Sequence, residues 1–349
     1  MIVHRYSPYS SYKSCKAVKL LRLLALLVFM TGLASMGHAS TSYHRLPVRP
    51  PLLQAGDKVA IVAPASWLPD AANVITQATK ALEAWGLTVV AGPHLLARQY
   101  RFAGTDRQRA ADLQWALDDP TIRAVFALRG GYGTTRIVDW LDFTQCLKSP
   151  KWVIGYSDIT TLLIRLHQLG IVAVHGEMLV HFPLSQYASS VASLKTLLFE
   201  GNGQLVTQPS ALNRLGAVTA PVVGGNLTLL CNNIGTPSAL DTNKKILVME
   251  EVGEKLYALD RAMVQLKRTG MFDNLAGLVV GGITDTKDCE GNPFGKSAEE
   301  IIMGHVAAYD YPVAFHFPVG HEAPNLAFPY GSLGQLCVAK DKVSLVFGQ

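Results

Sequence analysis

The sequence predicts an α/β protein: an N-terminal, mostly parallel sheet sandwiched between helices, joined to a smaller β-rich α/β unit. Three observations carry this expectation. Short apolar runs rich in Val, Ile and Leu alternate with stretches of helical spacing over residues 57–169, the pattern of a sheet covered on both faces. The alternation weakens over 182–216, where Ser, Gln, Asn, Gly and Pro are enriched, and resumes near Ala217. A length of 349 residues suits two domains, each able to bury a core.

Each element has a local reason. After a proline-rich lead at Pro47, Pro50 and Pro51, residues 57–64 read as a first strand, an apolar run stopped by Pro64. Residues 71–85 have helical spacing, 87–90 form a second strand, 106–117 a second helix and 122–128 a third, buried strand. Gly130-Gly131-Tyr132-Gly133 is a loop, and a helix is expected over 134–141. The run Trp152-Val153-Ile154 ends in Gly155-Tyr156-Ser157-Asp158, and a helical pattern over 159–169 follows at once. The segment 182–216 reads as a linker with one helix over 191–198. The second unit takes in 220–227, a strand at 245–249, a helix at 256–268 and a strand at 275–280. A Gly/Pro-rich stretch around His321 and a last strand at 342–347 complete it. The expected division is 52–181 for the N-terminal domain, 182–216 for the linker and 217–349 for the C-terminal domain.

The first 39 residues read as a signal peptide. Lys13, Lys16, Lys19 and Arg22 make a positive start, residues 23–33 an apolar core, and Gly37-His38-Ala39 offers small residues at a cleavage site. The apolar run is shorter than a bilayer-spanning helix requires. The expected location is periplasmic or secreted. An uncleaved anchor is the alternative, and a start at Met30 or Met36 would make the product cytoplasmic. The leader holds five basic residues and no acid, so its removal takes the formal charge from +5 to zero. The basic balance therefore belongs to the leader and gives no support for nucleic-acid binding. Cys15 leaves with it. Cys146, Cys231, Cys289 and Cys337 remain, far apart and without zinc spacing, and read as buried or incidental thiols.

The chemistry centres on Ser157. A serine at a strand-to-helix turn sits on a tight bend, and the amides of the helix start face whatever its hydroxyl attacks. Ser157 is thus a candidate nucleophile and the Asp158 amide a candidate oxyanion donor, although a Gly-x-Ser turn also serves as a plain helix N-cap. A base must come from the ten histidines. His4 and His38 leave with the leader, His44 and His94 flank strands, and His167 and His305 lie in helical patterns. His175, His181, His316 and His321 remain, and His321 lies in the constrained loop Pro318-Val319-Gly320-His321-Glu322-Ala323-Pro324-Asn325. For the orienting acid, Glu250 ends an apolar strand, where a carboxylate can be half buried and aimed at a site; Glu254 and Asp260 are weaker candidates. Gly131 can supply a second amide where a side chain would block approach, and Arg129 can pair with a substrate carboxylate. The same loop also reads as a plain glycine turn; it lacks the spacing of a dinucleotide fingerprint. Ser66 reads as a helix cap or substrate contact.

Six stretches, in order, resemble the LD-carboxypeptidase family of serine peptidases, which also contains the microcin C immunity peptidases. They are Gly56-Asp57-Lys58-Val59-Ala60-Ile61-Val62-Ala63-Pro64-Ala65-Ser66, Arg129-Gly130-Gly131-Tyr132-Gly133 and Ile154-Gly155-Tyr156-Ser157-Asp158-Ile159-Thr160. Gly224-Gly225-Asn226-Leu227, Leu247-Val248-Met249-Glu250-Glu251 and Gly320-His321-Glu322-Ala323-Pro324-Asn325 follow. The resemblance spans about residues 52–348. It implies a flavodoxin- or glutamine-amidotransferase-like N-terminal domain carrying the serine, a smaller C-terminal domain carrying the acid and base, and a homodimer. It further implies a triad of Ser157 as nucleophile, His321 as general base and Glu250 as orienting acid, with the Asp158 and Gly131 amides as oxyanion hole. No metal or organic cofactor is called for.

One position departs from the family pattern: His-Gly-Pro is usual after the nucleophile helix, and here it is His175-Gly176-Glu177. A charge there bears on substrate contacts. The short linker and the Arg-Gly-Gly-Tyr-Gly loop favour the murein branch over the microcin branch. The expected activity is release of terminal D-alanine from murein tetrapeptides by cleavage of an L,D-peptide bond. Hydrolysis of acyl-nucleotide conjugates, or silent wall-peptide binding, are the alternatives.

Overall fold

The computed structural model describes residues 47–348. The expected leader, 1–39, lies outside the described residues. Five parallel strands form most of the first sheet: β1 (Lys58–Val62), β2 (Thr88–Ala91), β3 (Ile122–Ala127), β4 (Trp152–Gly155) and β5 (Ala173–His175). Their spatial order is β5-β4-β3-β1-β2. The chain runs outward from β1 to β2, then returns past β1 to β3, so the carboxyl ends of β1 and β3 mark a topological switch point where a crevice opens. β1, β3 and β4 are almost wholly buried, as their Val, Ile and Ala content demands of a doubly covered sheet.

The covering helices follow their sequence signals. α1 (Ala71–Glu83) turns Ala71, Ala78 and Leu82 inward. α2 (Asp106–Asp118) starts at Thr105, whose hydroxyl accepts from Gln108 N while the Gln108 side chain returns to the Thr105 amide, a capping box. A short α3 (Thr144–Lys148) precedes β4, and α4 (Thr160–Gln168) follows it. The helix expected over 134–141 is instead two 3₁₀ turns, Thr134–Arg136 and Val138–Trp140, broken at Ile137. So short a segment with adjacent β-branched residues gains little as an α-helix. Its first amide, on Thr134, is held by the Asp158 carboxylate.

The segment read as a linker carries α5 (Ala188–Glu200), ended by Gly201 in the left-handed region, and β6 (Gly203–Thr207). β6 is an edge of the second sheet. The remaining elements are β7 (Gly216–Asn226), α6 (Leu227–Asn232), β8 (Ile246–Val252), α7 (Leu256–Arg268), β9 (Gly277–Thr284), α8 (Ala298–Val306), β10 (Val313–Ala314), β11 (Phe328–Tyr330), β12 (Leu333–Val338) and β13 (Val343–Phe347). The second sheet has seven strands in the order β10-β9-β8-β7-β12-β13-β6, parallel from β10 to β7 and antiparallel beyond. β11 leaves it and pairs antiparallel with β5, completing the first sheet as Phe328↔His175, Pro329↔Val174 and Tyr330↔Ala173. Pro329 is tolerated because this is an edge strand.

Helix α4, which follows the Ser157 turn, binds the two sheets together. Its Leu162, Leu163, Ile164 and Leu166 are at most 1% exposed and share a core with Val222 and Val223 of β7 and Leu227 of α6. At roughly 1.5–3 kcal/mol for each such side chain, this packing fixes α4 between the sheets. Polar contacts sharpen the register: Asn226 N donates to Thr160 Oγ1 at 3.2 Å and Asn233 Nδ2 to Thr161 Oγ1 at 3.0 Å. Among the described residues no helix is long and apolar enough to cross a membrane. Cys146, Cys231, Cys289 and Cys337 are free thiols, and only Cys146 is fully buried.

Candidate active site

Ser157 stands where β4 ends and α4 begins, on a 3₁₀ turn Ser157–Ile159. Its φ is 60°, the left-handed region, which costs a non-glycine residue of order 1 kcal/mol and lifts the side chain out of the turn. The Arg129–Gly133 loop at the end of β3 presses against it, and a Cβ on Gly130 would come within 3.2 Å of Ser157 Oγ and 3.4 Å of the Asp158 amide nitrogen. Gly131, at φ 106°, has room for no side chain because a Cβ there would meet Ser66 Oγ at 2.5 Å.

The second sheet delivers the other groups. Glu250 lies in β8 opposite an irregularity of the β8–β9 ladder and is fully buried. His321 sits in the loop that follows Gly320, whose φ of 125° and whose position 2.9 Å from the Glu250 Cβ, measured to a virtual Cβ, both exclude a side chain. His321 Nδ1 is 2.6 Å from Glu250 Oε2, and His321 Nε2 is 2.9 Å from Ser157 Oγ. The structure therefore joins Ser157, His321 and Glu250 in one chain of hydrogen bonds, although the first two are separated by 164 residues. Burial alone would pull the His321 pKa down. The Glu250 hydrogen bond and the charges of Glu250, Glu251 and Glu177 outweigh it, so the pKa is raised.

Several residues hold this chain in place. Asn325 Oδ1 accepts from Gly320 N at 3.0 Å and contacts His175 Nε2 at 3.2 Å, while Asn325 N donates to Ser190 Oγ at 2.9 Å. His175 is fully buried and stacked on Phe328, and burial drops its pKa to about 4, which keeps it neutral. Tyr156 lies edge-on to the His321 ring. On the β3 side, the Asp158 carboxylate accepts from Thr134 N at 2.8 Å, tying the loop to the serine turn. Burial raises the Asp158 pKa, opposed by its hydrogen bonds to Thr134 and Gly133. Buried Arg109 of α2 donates to the carbonyls of Pro64 and Gly133, joining the ends of β1 and β3.

Of the remaining sequence candidates, Arg129 is half-buried and donates to Trp67 O at 3.1 Å, and Ser66 Oγ accepts from Tyr132 N at 3.0 Å. Glu251 points away from Glu250 and holds Asn226 Nδ2 and Thr228 N. His316 is exposed and outside the cluster, Glu254 lies at another cavity beside α7, and Asp260 pairs with His305. Glu177 is fully buried, 2.7 Å from His181 Nδ1 and within reach of Asn325 Nδ2. It is a member of the polar network behind His321. Arg109 and Asn325 were assigned no role from sequence. Arg109 carries one signal, a charge on the apolar face of α2 that also holds Leu113 and Ala116. Among the described residues no group of three or more His, Cys, Asp and Glu is placed to hold a metal ion.

A serine hydroxyl, an imidazole and a buried carboxylate in this order, on a parallel sheet and its neighbour, have the makeup of a serine-type acyl-transfer hydrolase. Residues 59–176 match the LD-carboxypeptidase N-terminal domain and residues 219–336 the LD-carboxypeptidase C-terminal domain. The murein tetrapeptide carboxypeptidase of Pseudomonas aeruginosa is 36% identical over 290 residues, covering 80% of this chain and 92% of the relative. The crystal structure of muramoyltetrapeptide carboxypeptidase from Oxalobacter formigenes superimposes with a TM-score of 0.75 at 28% identity, over 84% of this chain and 99% of that one. A microcin C7 self-immunity protein in complex with aspartyl sulfamoyl adenosine shares the fold, with a TM-score of 0.77 at 21% identity, over 87% and 99%. The chain belongs to the LD-carboxypeptidase family.

Proposed function

We propose that this protein is a serine L,D-carboxypeptidase that removes the terminal D-alanine from murein tetrapeptides. The observation that carries this reading is the Ser157–His321–Glu250 hydrogen-bond chain, in a family whose P. aeruginosa member is named a murein tetrapeptide carboxypeptidase. His321 Nε2 takes the Ser157 proton as Oγ attacks the carbonyl at the L-centre of the diamino acid. Glu250 keeps the proton of Nδ1 directed toward itself and stabilises the imidazolium. The oxyanion is met by the amides of Asp158 and Gly131. Collapse breaks the C–N bond, His321 returns the proton to the departing D-alanine nitrogen, and an ester to Ser157 remains. Water, deprotonated by His321, then releases the tripeptide and restores the serine. Arg129 serves as a contact for a substrate carboxylate.

The test is incubation of purified protein with murein tetrapeptide and measurement of released D-alanine. Release by wild type and none by Ser157→Ala supports the reading. Hydrolysis of an aminoacyl sulfamoyl or aminoacyl phosphoramidate nucleoside in place of tetrapeptide moves the assignment to acyl-nucleotide conjugates, and binding without turnover makes the protein a silent binder. We further propose export to the periplasm after cleavage of residues 1–39, and a homodimer. Fractionation with N-terminal sequencing checks the first, with a mature start at Ser40 expected and a cytoplasmic start at Met30 or Met36 against it. Light scattering coupled to size exclusion checks the second.

A further inference from the structure

Ser66, Trp67, Arg98, Tyr100, Arg101 and Arg129 line an open cleft of about 470 Å³ beside the serine turn. Its walls come from the segments after β1, β2 and β3, so it occupies the switch-point crevice where open α/β sheets take their ligands. The cleft is strongly cationic. Among the described residues no carboxylate forms an ion pair with Arg98, Arg101 or Arg129. Arg129 is half-buried, and burial followed by the Arg101 charge lowers its pKa. Three guanidiniums gathered without a counter-charge repel one another unless an anion joins them.

The cleft is also held in shape. Arg98 stacks on Trp67 with its guanidinium 3.7 Å from the ring centroid. Gln99 and Phe102 exchange backbone hydrogen bonds at 3.0 and 2.9 Å, closing a two-residue turn that displays Tyr100 and Arg101. Tyr100, the first central residue of that turn, has the positive φ of 55° that two-residue hairpin turns require, and its side chain is 85% exposed. Trp67 N donates to Arg101 O at 2.8 Å and Ala103 N to Ala65 O at 3.1 Å, which pins this turn to the loop after β1.

Position relative to Ser157 narrows the ligand. A Cβ on Gly130 would face Ser157, whereas one on Gly131 would face Ser66 and the Arg129 guanidinium at 3.7 Å. The cleft and the nucleophile thus lie on opposite sides of the Gly130–Gly131 peptide. The carboxylate of the leaving D-alanine is within about one residue length, roughly 3.8 Å, of the attacked carbonyl and stays on the serine side. A carboxylate further along the stem peptide can cross the loop.

We propose that this arginine cleft is a subsite for a carboxylate of the stem peptide remote from the scissile bond. The assignment rests on the peptidase reading above. Two carboxylates have this chemistry: the side-chain carboxylate of a dicarboxylic diamino acid, and the α-carboxylate of a glutamate linked through its γ-carbon.

Three tetrapeptides test it: the fully acidic stem, the stem amidated at the diamino acid side chain, and the stem amidated at the glutamate α-carboxylate. With wild type, amidation of the bound carboxylate raises KM roughly fivefold to tenfold, the scale of a partly exposed charge-assisted pair, while kcat holds within about twofold. The affected amide identifies the source. In the Arg98→Gln/Arg101→Gln double variant, KM for the acidic stem rises by a similar factor and the preference over the amide disappears. Added salt weakens the wild-type preference. Equal KM for all three stems in wild type, or a preference that survives in the double variant, overturns the proposal. If wild type releases no D-alanine from any stem, the peptidase reading fails on its own. Calorimetric binding of the same stems to Ser157→Ala then decides: a preference for acid that is lost in the arginine variants supports the cleft, and its absence overturns it.

Discussion

Replacing Glu250 with glutamine keeps the side-chain shape and removes its charge at a site with no access to solvent. The carboxylate lies 2.6 Å from His321 Nδ1, and in the proposed mechanism, above the acidic limb, His321 starts neutral and becomes imidazolium as Ser157 attacks, so most of the lost attraction is felt in the transition state. Two unit charges about 4 Å apart at an effective dielectric of about 20 interact by about 4 kcal/mol. Part of this survives as the neutral hydrogen bond, at about 1 kcal/mol. A loss of about 3 kcal/mol in transition-state stabilisation corresponds to a fall in kcat of roughly a hundredfold or somewhat more. The loss is larger if the glutamine NH₂ takes the place of Oε2, because Nδ1 must then accept and the ring proton moves to Nε2, facing Ser157.

The pH profile gives an independent reading. In wild type the His321 pKa is raised despite burial, through Glu250 first among the carboxylates. Without that charge, burial dominates and the pKa falls. The acidic limb of kcat/KM, which reports the base in the free enzyme, therefore moves to lower pH in Glu250→Gln. Stability follows the same sign. A histidine with a raised folded-state pKa contributes stability that is fully present below its unfolded pKa and is lost as pH rises through the folded value. The melting-temperature advantage of wild type over Glu250→Gln should accordingly shrink across that window. Steady-state kinetics and thermal melts over a pH series check both. A kcat within fivefold of wild type, or an acidic limb that stays in place, would refute the role given to Glu250.

Three further outcomes are expected. Gly320→Ala forces a Cβ to 2.9 Å from the Glu250 Cβ at a φ of 125°; it should lower stability by about 1–3 kcal/mol and kcat at least tenfold, read by urea melts beside kinetics. Asp158→Ala removes the acceptor of the Thr134 amide and frees the Gly130–Gly133 loop, so kcat should fall tenfold or more, while Asp158→Asn, which keeps an acceptor, recovers most of it. Glu177→Gln removes a carboxylate that raises the His321 pKa, so the acidic limb should shift to lower pH, by less than in Glu250→Gln; a shift to higher pH contradicts the electrostatic role.

How much was legible depended on the range of the interaction. The helices over 71–85, 106–117 and 256–268 were written in local sequence pattern, and appear as α1, α2 and α7. The helix expected over 134–141 gave way to two 3₁₀ turns because so short a segment with adjacent β-branched residues gains little as an α-helix, while the carboxylate that holds its first amide, Asp158, lies 24 residues away. β6 and β11 escaped notice because each is short and makes sense only beside a partner: Phe347 for Gly203 and His175 for Phe328. Residue by residue, Arg109 and Asn325 show the same limit, since their importance lies in partners brought from distant segments: the carbonyls of Pro64 and Gly133 for Arg109, and His175 and Ser190 for Asn325.

By itself, the sequence determined the serine turn. An apolar strand, a glycine and an immediate helix start lie within ten residues, and local sterics suffice to bend the chain at Ser157. It also named Glu250 and His321 as groups at a strand end and in a constrained loop. Only the tertiary structure decided that His321 Nε2 comes to 2.9 Å from Ser157 Oγ, that Glu177 is buried behind it, and that three arginines share one crevice. Those distances are set by two sheets packed around α4 and by glycines that let loops approach, and neither leaves a periodic trace along the chain.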